Sequence, residues 1–272
     1  MSFPVGIGII TFNRKDILAA TIERVRLLTR EPDAALIVAD DGSTDGTPDM
    51  LRAMRVPLVT GVNMGIAWNK NRALFVLSQV LGCETVILLE DDARPARLAW
   101  DSQWIAAARH WGHVNYAGDW MREYFLSGSG TADDPVRSTM VTAQCAAFSR
   151  AALSFGGYFD PRFTGYGHEH VEHTSRMIRL GYGGSKEQVD GTEHVLFHLI
   201  TGGVTVVASI STGDAEAADR NLHLARMLMA EDGYRAPWRD DRQARQFRSE
   251  VESSFHAGRE RFLVHGLRPI RP

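Results

Sequence analysis

Over the first ninety or so residues the chain alternates two patterns. Short uninterrupted apolar runs, "VGIGIIT" (5–11), "ALIVAD" (35–40), "PLVT" (57–60) and "ETVILLED" (84–91), have strand length and no polar face, as strands covered on both sides must. Between them, apolar residues recur at helical spacing. Leu18, Ile22, Val25 and Leu28 mark one helix with Asn13 as its expected cap, and "GSTDGTPDMLRAM" turns into another with Thr47 as cap and Pro48 as first residue. "NMGIAWNKNRALFVLSQVL" and "LAWDSQWIAAARHW" complete the series; Trp100, Trp104 and Trp111 in the latter share one core-facing stripe. Apolar strands joined by helices predict an α/β fold, a Rossmann-like, mostly parallel sheet flanked by helices. Ligands of such sheets bind beyond the carboxyl ends of the strands. The polar segments "TFN", "ADDGS", "GVNMG" and "EDD" all fall there.

Beyond residue 126 the pattern loosens. Small and polar residues 127–135 read as a mobile loop, either a plain connection or a lid. "TMVTAQCAAFSR" is a strand, "GGYFDPRFTGYG" is rich in turns, and "EHVEHTSRMIRLGY" is a helix ended by Gly181. "VTVVAS" is a further strand, and charged helices follow. No internal repeat is visible.

Composition narrows the classes of function. The 272 residues suit one large domain with a C-terminal appendage, and 44% apolar content is ordinary for a globular chain. A formal charge of -3 with mixed signs argues against nucleic acid as partner. Two cysteines, Cys83 and Cys145, sit inside apolar stretches and point to a reducing, cytoplasmic setting. No stretch approaches membrane-spanning length. Arg239, Arg242, Arg245 and Arg248, three apart among acids, fit a solvated helix or a homo-oligomer contact.

The segments "IGIITFNR", "IVADDGSTDGT", "NMGIAWNKNRAL", "ILLEDDARP", "FGGYFDPRF" and "GYGHEHVEHTSRMIRLGY", in this order, resemble the family 2 glycosyltransferases of the GT-A fold. The resemblance covers residues 4 to about 200. It implies a GT-A domain over 1–205, with a nucleotide-binding half (1–95) and an acceptor or catalytic half (96–205), followed by a C-terminal helical extension (206–272). It further implies transfer of a sugar from a nucleoside diphosphate donor, taken as a UDP-sugar, to an acceptor hydroxyl in surface or secreted glycan synthesis.

Physical chemistry agrees with a cation at the acidic triplet Glu90, Asp91 and Asp92. A diphosphate would be repelled by these carboxylates unless Mn²⁺ or Mg²⁺, which favour oxygen ligands, bridged the two. Strand alternation puts Glu90 and Asp92 on one face, with Asp91 on the other. By similarity Asp92 is the first metal ligand, with Glu90 beside it and a late histidine, His198, completing the set. Asp91 turns to ribose or metal-bound water. Thr11, Phe12, Asn13 and Arg14 end the first strand, Asp40 and Asp41 the second; with Asn63, Gly65 and Arg72 they form the expected nucleotide site. For Asn13, as for Asp45, a turn-forming or capping role is the stronger reading.

The family commonly carries Glu-Asp where this chain has Glu169 and His170, with the aspartate as general base of an inverting displacement. The departure leaves His170 or Glu169 as base, since an imidazole titrates near neutrality. A retaining enzyme and a non-catalytic nucleotide-sugar or glycan-binding module are the alternatives. Trp120, Tyr124 and Tyr166 are acceptor candidates. A nucleotidyltransferase would need a glycine-rich, basic loop after the first strand, and "TFNRKD" lacks one. A zinc hydrolase motif would need histidine at position 172, where glutamate stands; only a His168/Glu172 pair remains for that reading.

Overall fold

A computed structural model describes residues 3–189, 191–207, 214–231, 233–254 and 262–265. The four apolar runs become strands β1 (Val5–Thr11), β2 (Ala35–Asp40), β3 (Leu58–Thr60) and β4 (Thr85–Glu90). Helices α1 (Lys15–Leu28), α2 (Thr47–Ala53) and α3 (Ile66–Phe75) link them in turn. All three pairings are parallel, in the order β3-β2-β1-β4. Alternate residues serve opposite layers: Val5, Ile7 and Ile9 meet Leu18, Ile22 and Val25 of α1, while Ile37, Ala39 and Val86 meet Ala73 and Leu74 of α3. The α3 side lies so close to β1 that a Cβ at Gly6 would stand 2.7 Å from Leu77 Cδ2 and from Cys83 Sγ. A side chain at Gly6 would force Leu77 or Cys83 to shift.

The second half runs β5 (Ala93–Pro95), α4 (Trp100–Trp111), β6 (His113–Tyr116), a 3₁₀ turn (Asp119–Tyr124), β7 (Phe125–Ser127), β8 (Val136–Ser138) and β9 (Cys145–Ser149). It continues through α5 (Arg150–Gly156), α6 (Glu169–Arg179), β10 (Gly184–Val189), β11 (Thr192–Ile200), β12 (Val204–Val206), α7 (Ala215–Leu228) and α8 (Asp241–Ser254). The sheet extends from β4 through β9, β6, β11, β8 and β7, with β10 also on β11. Strands β8, β9 and β10 run against the rest, so the sheet is mixed but mostly one-directional. It crosses from the first half into the second without a break. α8 belongs to the same core, since Phe247 packs on Trp68, Phe75 and Trp238. Residues 208–209 of "VTVVAS" and parts of the 206–272 extension lie outside the described residues.

Local details differ from the sequence expectations. Arg14, not Asn13, is the N-cap residue of α1, and it makes no side-chain capping bond. The first amide of that helix, Lys15 N–H, donates instead to Asp45, thirty residues away, at 2.9 Å. Gly46, with φ 90°, is the N-cap of α2 and Thr47 is already helical, because Asp45 takes both the Thr47 amide and its hydroxyl. The helix expected over 63–81 becomes α3 and a π-helical turn (Val76–Val80). Residues 127–135 are a fastened hairpin connection. Asp134 carbonyl accepts three amides, Thr201 N–H donates to Gly130 carbonyl, and Trp111 Nε1–H donates to Ala132 carbonyl at 2.8 Å.

Candidate functional site

At the end of β4 the acidic triplet meets cations supplied by the chain itself. Arg14 reaches Asp91 Oδ1 with Nη1 at 2.7 Å and Asp92 Oδ2 with Nη2 at 3.1 Å. Lys70 Nζ lies 3.2 Å from Glu90 Oε1 and 2.9 Å from Glu169 Oε1. Thr11 Oγ1 donates to Asp91 Oδ2 at 2.7 Å, and Thr21 Oγ1 to the Asp91 carbonyl. Burial pushes the Asp91 carboxyl up to about 7, against the Thr11 hydrogen bond and the Arg14 charge. Strand alternation does not carry through the triplet: β4 ends at Glu90 and the next two residues form a turn. Glu90 therefore turns to Lys70 and Asp92 to Arg14, so the expected Glu90/Asp92 pair shares no counter-charge.

Lys70 is the residue that sequence reasoning missed. It is 1% exposed on a helix whose positions 67–74 are all buried, including four consecutive polar residues, Asn69 to Arg72. Such a polar block inside an otherwise apolar helix was the available signal, since long cations are rarely buried unless paired.

The expected nucleoside residues split into two groups. Asp40 is fully buried, and its carboxylate accepts from Ser43 N–H at 3.1 Å and Thr60 Oγ1 at 3.0 Å. Asp41 accepts from Met64 N–H (3.0 Å), Gly65 N–H (2.8 Å) and Arg72 Nη1 (2.8 Å). Burial raises its carboxyl despite those donors. Arg72 also donates to Glu250 Oε2 and the Val62 carbonyl, and is fully buried. Asp40, Asp41 and Arg72 thus tie the loops after β2 and β3 to the sheet end. The Thr11 carbonyl is likewise engaged, by Asp41 N–H and Asn69 Nδ2. Asn13, in the left-handed region, ties the loop by accepting from Thr44 N–H at 2.7 Å. Phe12, 43% exposed, and Asn63 are open to solvent beyond the strand ends. Gly65 has φ 91°, and a Cβ there would stand 2.7 Å from Gly165 N, so this loop touches the loop that precedes α6.

Glu169 and His170 open α6. Glu169 is buried; burial alone would raise its carboxyl, but Lys70 and His170 hold it well below the usual carboxylate range. His170 has a side chain 21% exposed, with Nδ1 3.5 Å from Glu169 Oε1. Glu172 is committed to Arg176 Nε at 2.8 Å with both side chains fully buried, which removes the His168/Glu172 metal pair. His173 Nε2–H donates to the Gly157 carbonyl at 3.1 Å, and the ring is stacked on Phe159, away from solvent. Trp120, Tyr124 and Tyr166 expose 56%, 37% and 45% of their surface, the first two on the 3₁₀ turn after β6 and the third between Gly165 and Gly167.

His198 does not join the acidic triplet. It lies on β11, which is separated from β4 by β9 and β6, a lateral gap of about 14 Å at normal strand spacing. Its ring meets Trp111 edge to face at 4.6 Å and lines a cleft of about 760 Å³ with Glu84, Arg137 and Glu187, toward the start of β4. Burial pushes it down to about 4. A histidine legible as a metal ligand only from its place in the sequence has no geometric route to Asp92.

Residues 7–125 match the family described as glycosyl transferase family 2. No curated protein sequence matches the chain. Among solved structures, the chain is similar to GalNAc-T7 with UDP, GalNAc and Mn²⁺, at TM-score 0.59 and 13% identity over 92% of this chain and 55% of that one. It is similar to residues 1–349 of S. aureus TarS in complex with UDP, at TM-score 0.55 and 14% identity over 85% and 64%. The mannosyltransferase PcManGT from Pyrobaculum calidifontis, in complex with GDP-Man and Mn²⁺, aligns at TM-score 0.51 and 18% identity over 71% and 56%. The chain spans less than two thirds of the length of each. These likenesses establish the architecture alone, the mixed α/β GT-A fold. No helix among the described residues is long and apolar enough to cross a membrane.

Proposed function

We propose that the chain transfers a glycosyl group from a UDP-sugar to an acceptor hydroxyl, with Mn²⁺ or Mg²⁺ accompanying the diphosphate and His170 as general base of an inverting displacement. The observation that carries this reading is the bridge Glu90–Lys70–Glu169, which draws the start of α6 against the strand end where the acidic triplet stands. The UDP and Mn²⁺ of the similar structures support the donor and the ion. The surface or secreted destination of the glycan rests on the family resemblance alone.

The donor set suits a hard divalent ion, which binds through one or two carboxylates and takes its remaining ligands from phosphate and water. Among the described residues no three of His, Cys, Asp or Glu gather into a self-sufficient cage. Asp92, with Asp91 or Glu90, would hold an ion brought by the diphosphate, and bound there it would supply charge neutralisation for the leaving group.

Of the two candidate bases, His170 is favoured. A general base works best with a pKa near the operating pH, and Glu169 is held far below it by Lys70. Its carboxylate instead faces His170 at 3.5 Å, where it stabilises the imidazolium formed when the acceptor proton is taken. Exposed faces of Trp120, Tyr124 and Tyr166 offer stacking surfaces for the acceptor sugar. Turnover of UDP-sugar hydrolysis with Mn²⁺ tests the reading. His170→Ala lowers it by roughly 10²–10⁴-fold; near-normal turnover in both His170→Ala and Glu169→Gln removes the base assignment. Donor binding without turnover by any nucleotide sugar favours the non-catalytic module.

A further inference from the structure

The acidic triplet carries two resident cations, and they differ in how firmly they are held. Lys70 is 1% exposed, fixed between Glu90 and Glu169, and stands over the Phe159 ring at 5.3 Å. Arg14 has a side chain 31% exposed, and it covers its buried partners Asp91 and Asp92 at the β4 end. The backbone around it is pinned. Asn13 N–H donates to Ser43 Oγ at 2.7 Å, Thr44 N–H to Asn13 Oδ1 at 2.7 Å, and Lys15 N–H to Asp45 Oδ2 at 2.9 Å. A departure of the guanidinium from its two carboxylates therefore needs no movement of the chain that carries it.

We propose, building on the metal and donor reading above, that Arg14 is a displaceable counter-ion: it occupies the carboxylates that a divalent ion requires and releases them to clamp the donor diphosphate. A guanidinium within hydrogen-bond distance of Asp91 and Asp92 stands where an ion bound to the same oxygens would repel it. The ion alone must therefore evict Arg14 into water. Diphosphate changes the balance, because its oxygens accept the same forked N–H pair that the carboxylates accepted. Ion and donor then each favour the other's binding, and by thermodynamic linkage by the same factor. Until a diphosphate arrives Arg14 keeps the acidic pair compensated, so the two carboxylates alone are a poor site for a free ion.

Electron paramagnetic resonance of free Mn²⁺, titrated against the full chain with and without UDP, tests this without reference to turnover. Without UDP, Arg14→Gln binds Mn²⁺ at least tenfold more tightly than wild type. UDP then raises Mn²⁺ affinity at least tenfold more in wild type than in Arg14→Gln. Arg14→Lys keeps the charge and loses the fork: its Mn²⁺ affinity without UDP stays near wild type while the gain from UDP falls. Thermal melts establish that the variants are folded. Arg14→Gln indistinguishable from wild type in both titrations, beside normal Mn²⁺–UDP binding, overturns the Arg14 proposal alone. Absence of Mn²⁺ binding by wild type even with UDP overturns the metal reading and this inference with it.

Discussion

Replacing Lys70 by methionine removes the ammonium that lies between Glu90 and Glu169 and leaves the rest of the helix its apolar volume. The ammonium stands 2.9 Å from Glu169 Oε1 and 3.2 Å from Glu90 Oε1. At an effective dielectric constant of about 20, each contact is worth roughly 5 kcal/mol of Coulomb attraction. Against this stands the desolvation of a lysine that is 1% exposed, several kcal/mol in its own right. The mutation recovers that desolvation but strands a carboxylate that is 3% exposed, and breaking a buried pair from one side costs about 3–5 kcal/mol. For a chain of this size each kcal/mol moves the melting temperature by about 2–4 °C, so Lys70→Met lowers it by on the order of 10 °C. Urea unfolding followed by circular dichroism measures the loss. The double variant Lys70→Met/Glu169→Gln recovers much of it, because the stranded charge is gone, and the cycle gives a coupling of about 2 kcal/mol or more. A loss below about 1 kcal/mol in Lys70→Met, or simple additivity in the cycle, refutes the argument that this bridge joins the two parts of the site.

Stability also depends on pH from both sides. His113 is pushed down to about 4 by burial, so its contribution is whole above its ordinary value of 6.5 and is lost as pH falls toward 4. The loss approaches about 3 kcal/mol, and His113→Asn flattens the acid limb of an unfolding free energy against pH plot; an unchanged slope contradicts this. Asp91, raised to about 7, acts in the opposite sense: its contribution is whole below its ordinary value of 3.8 and is lost as pH rises to about 7, so Asp91→Asn flattens the fall between about pH 4 and 7. Gly65→Ala forces a Cβ to 2.7 Å from Gly165 N at φ 91°, which costs about 1–3 kcal/mol and weakens UDP binding by displacing the amides held by Asp41; wild-type melting and affinity argue against that close approach.

The parallel half of the fold was legible because its strands are uninterrupted apolar runs and its helices keep their period. Strands β6 and β11 escaped notice since "HVNY" and "TEHVLFHLI" mix polar residues into the runs: His113 and Asn115 are buried through bonds to the Ala147 carbonyl and Thr174, which no pattern of hydrophobicity records. The acidic triplet and the start of α6 were readable as motifs, but their partners were not. Arg14 and Lys70 reach across 78 and 99 residues respectively to Asp92 and Glu169, and a pairing at that separation exists only in the folded sheet. Asp40 and Asp41 show the reverse limit. Two adjacent carboxylates after a strand read as ligands for a nucleoside, and the bonds to Thr60, Met64 and Gly65 show a fastening of the next two loops that no local pattern records. His198 was placed by order along the chain, whereas the strand order puts β9 and β6 between it and the site.

The central claim is that a divalent ion mediates the meeting of a nucleoside diphosphate with the carboxylates after β4. A thermal-shift panel of UDP, GDP, dTDP and CDP, each with Mn²⁺ and with chelator, on wild type and Asp92→Asn, tests it most directly. At a free ligand concentration 100 times its Kd, stabilisation is about 2.7 kcal/mol, a shift of several degrees for wild type with Mn²⁺ and UDP. The account predicts that chelator or Asp92→Asn abolishes this shift; a UDP shift of equal size in chelator, or in Asp92→Asn, contradicts it.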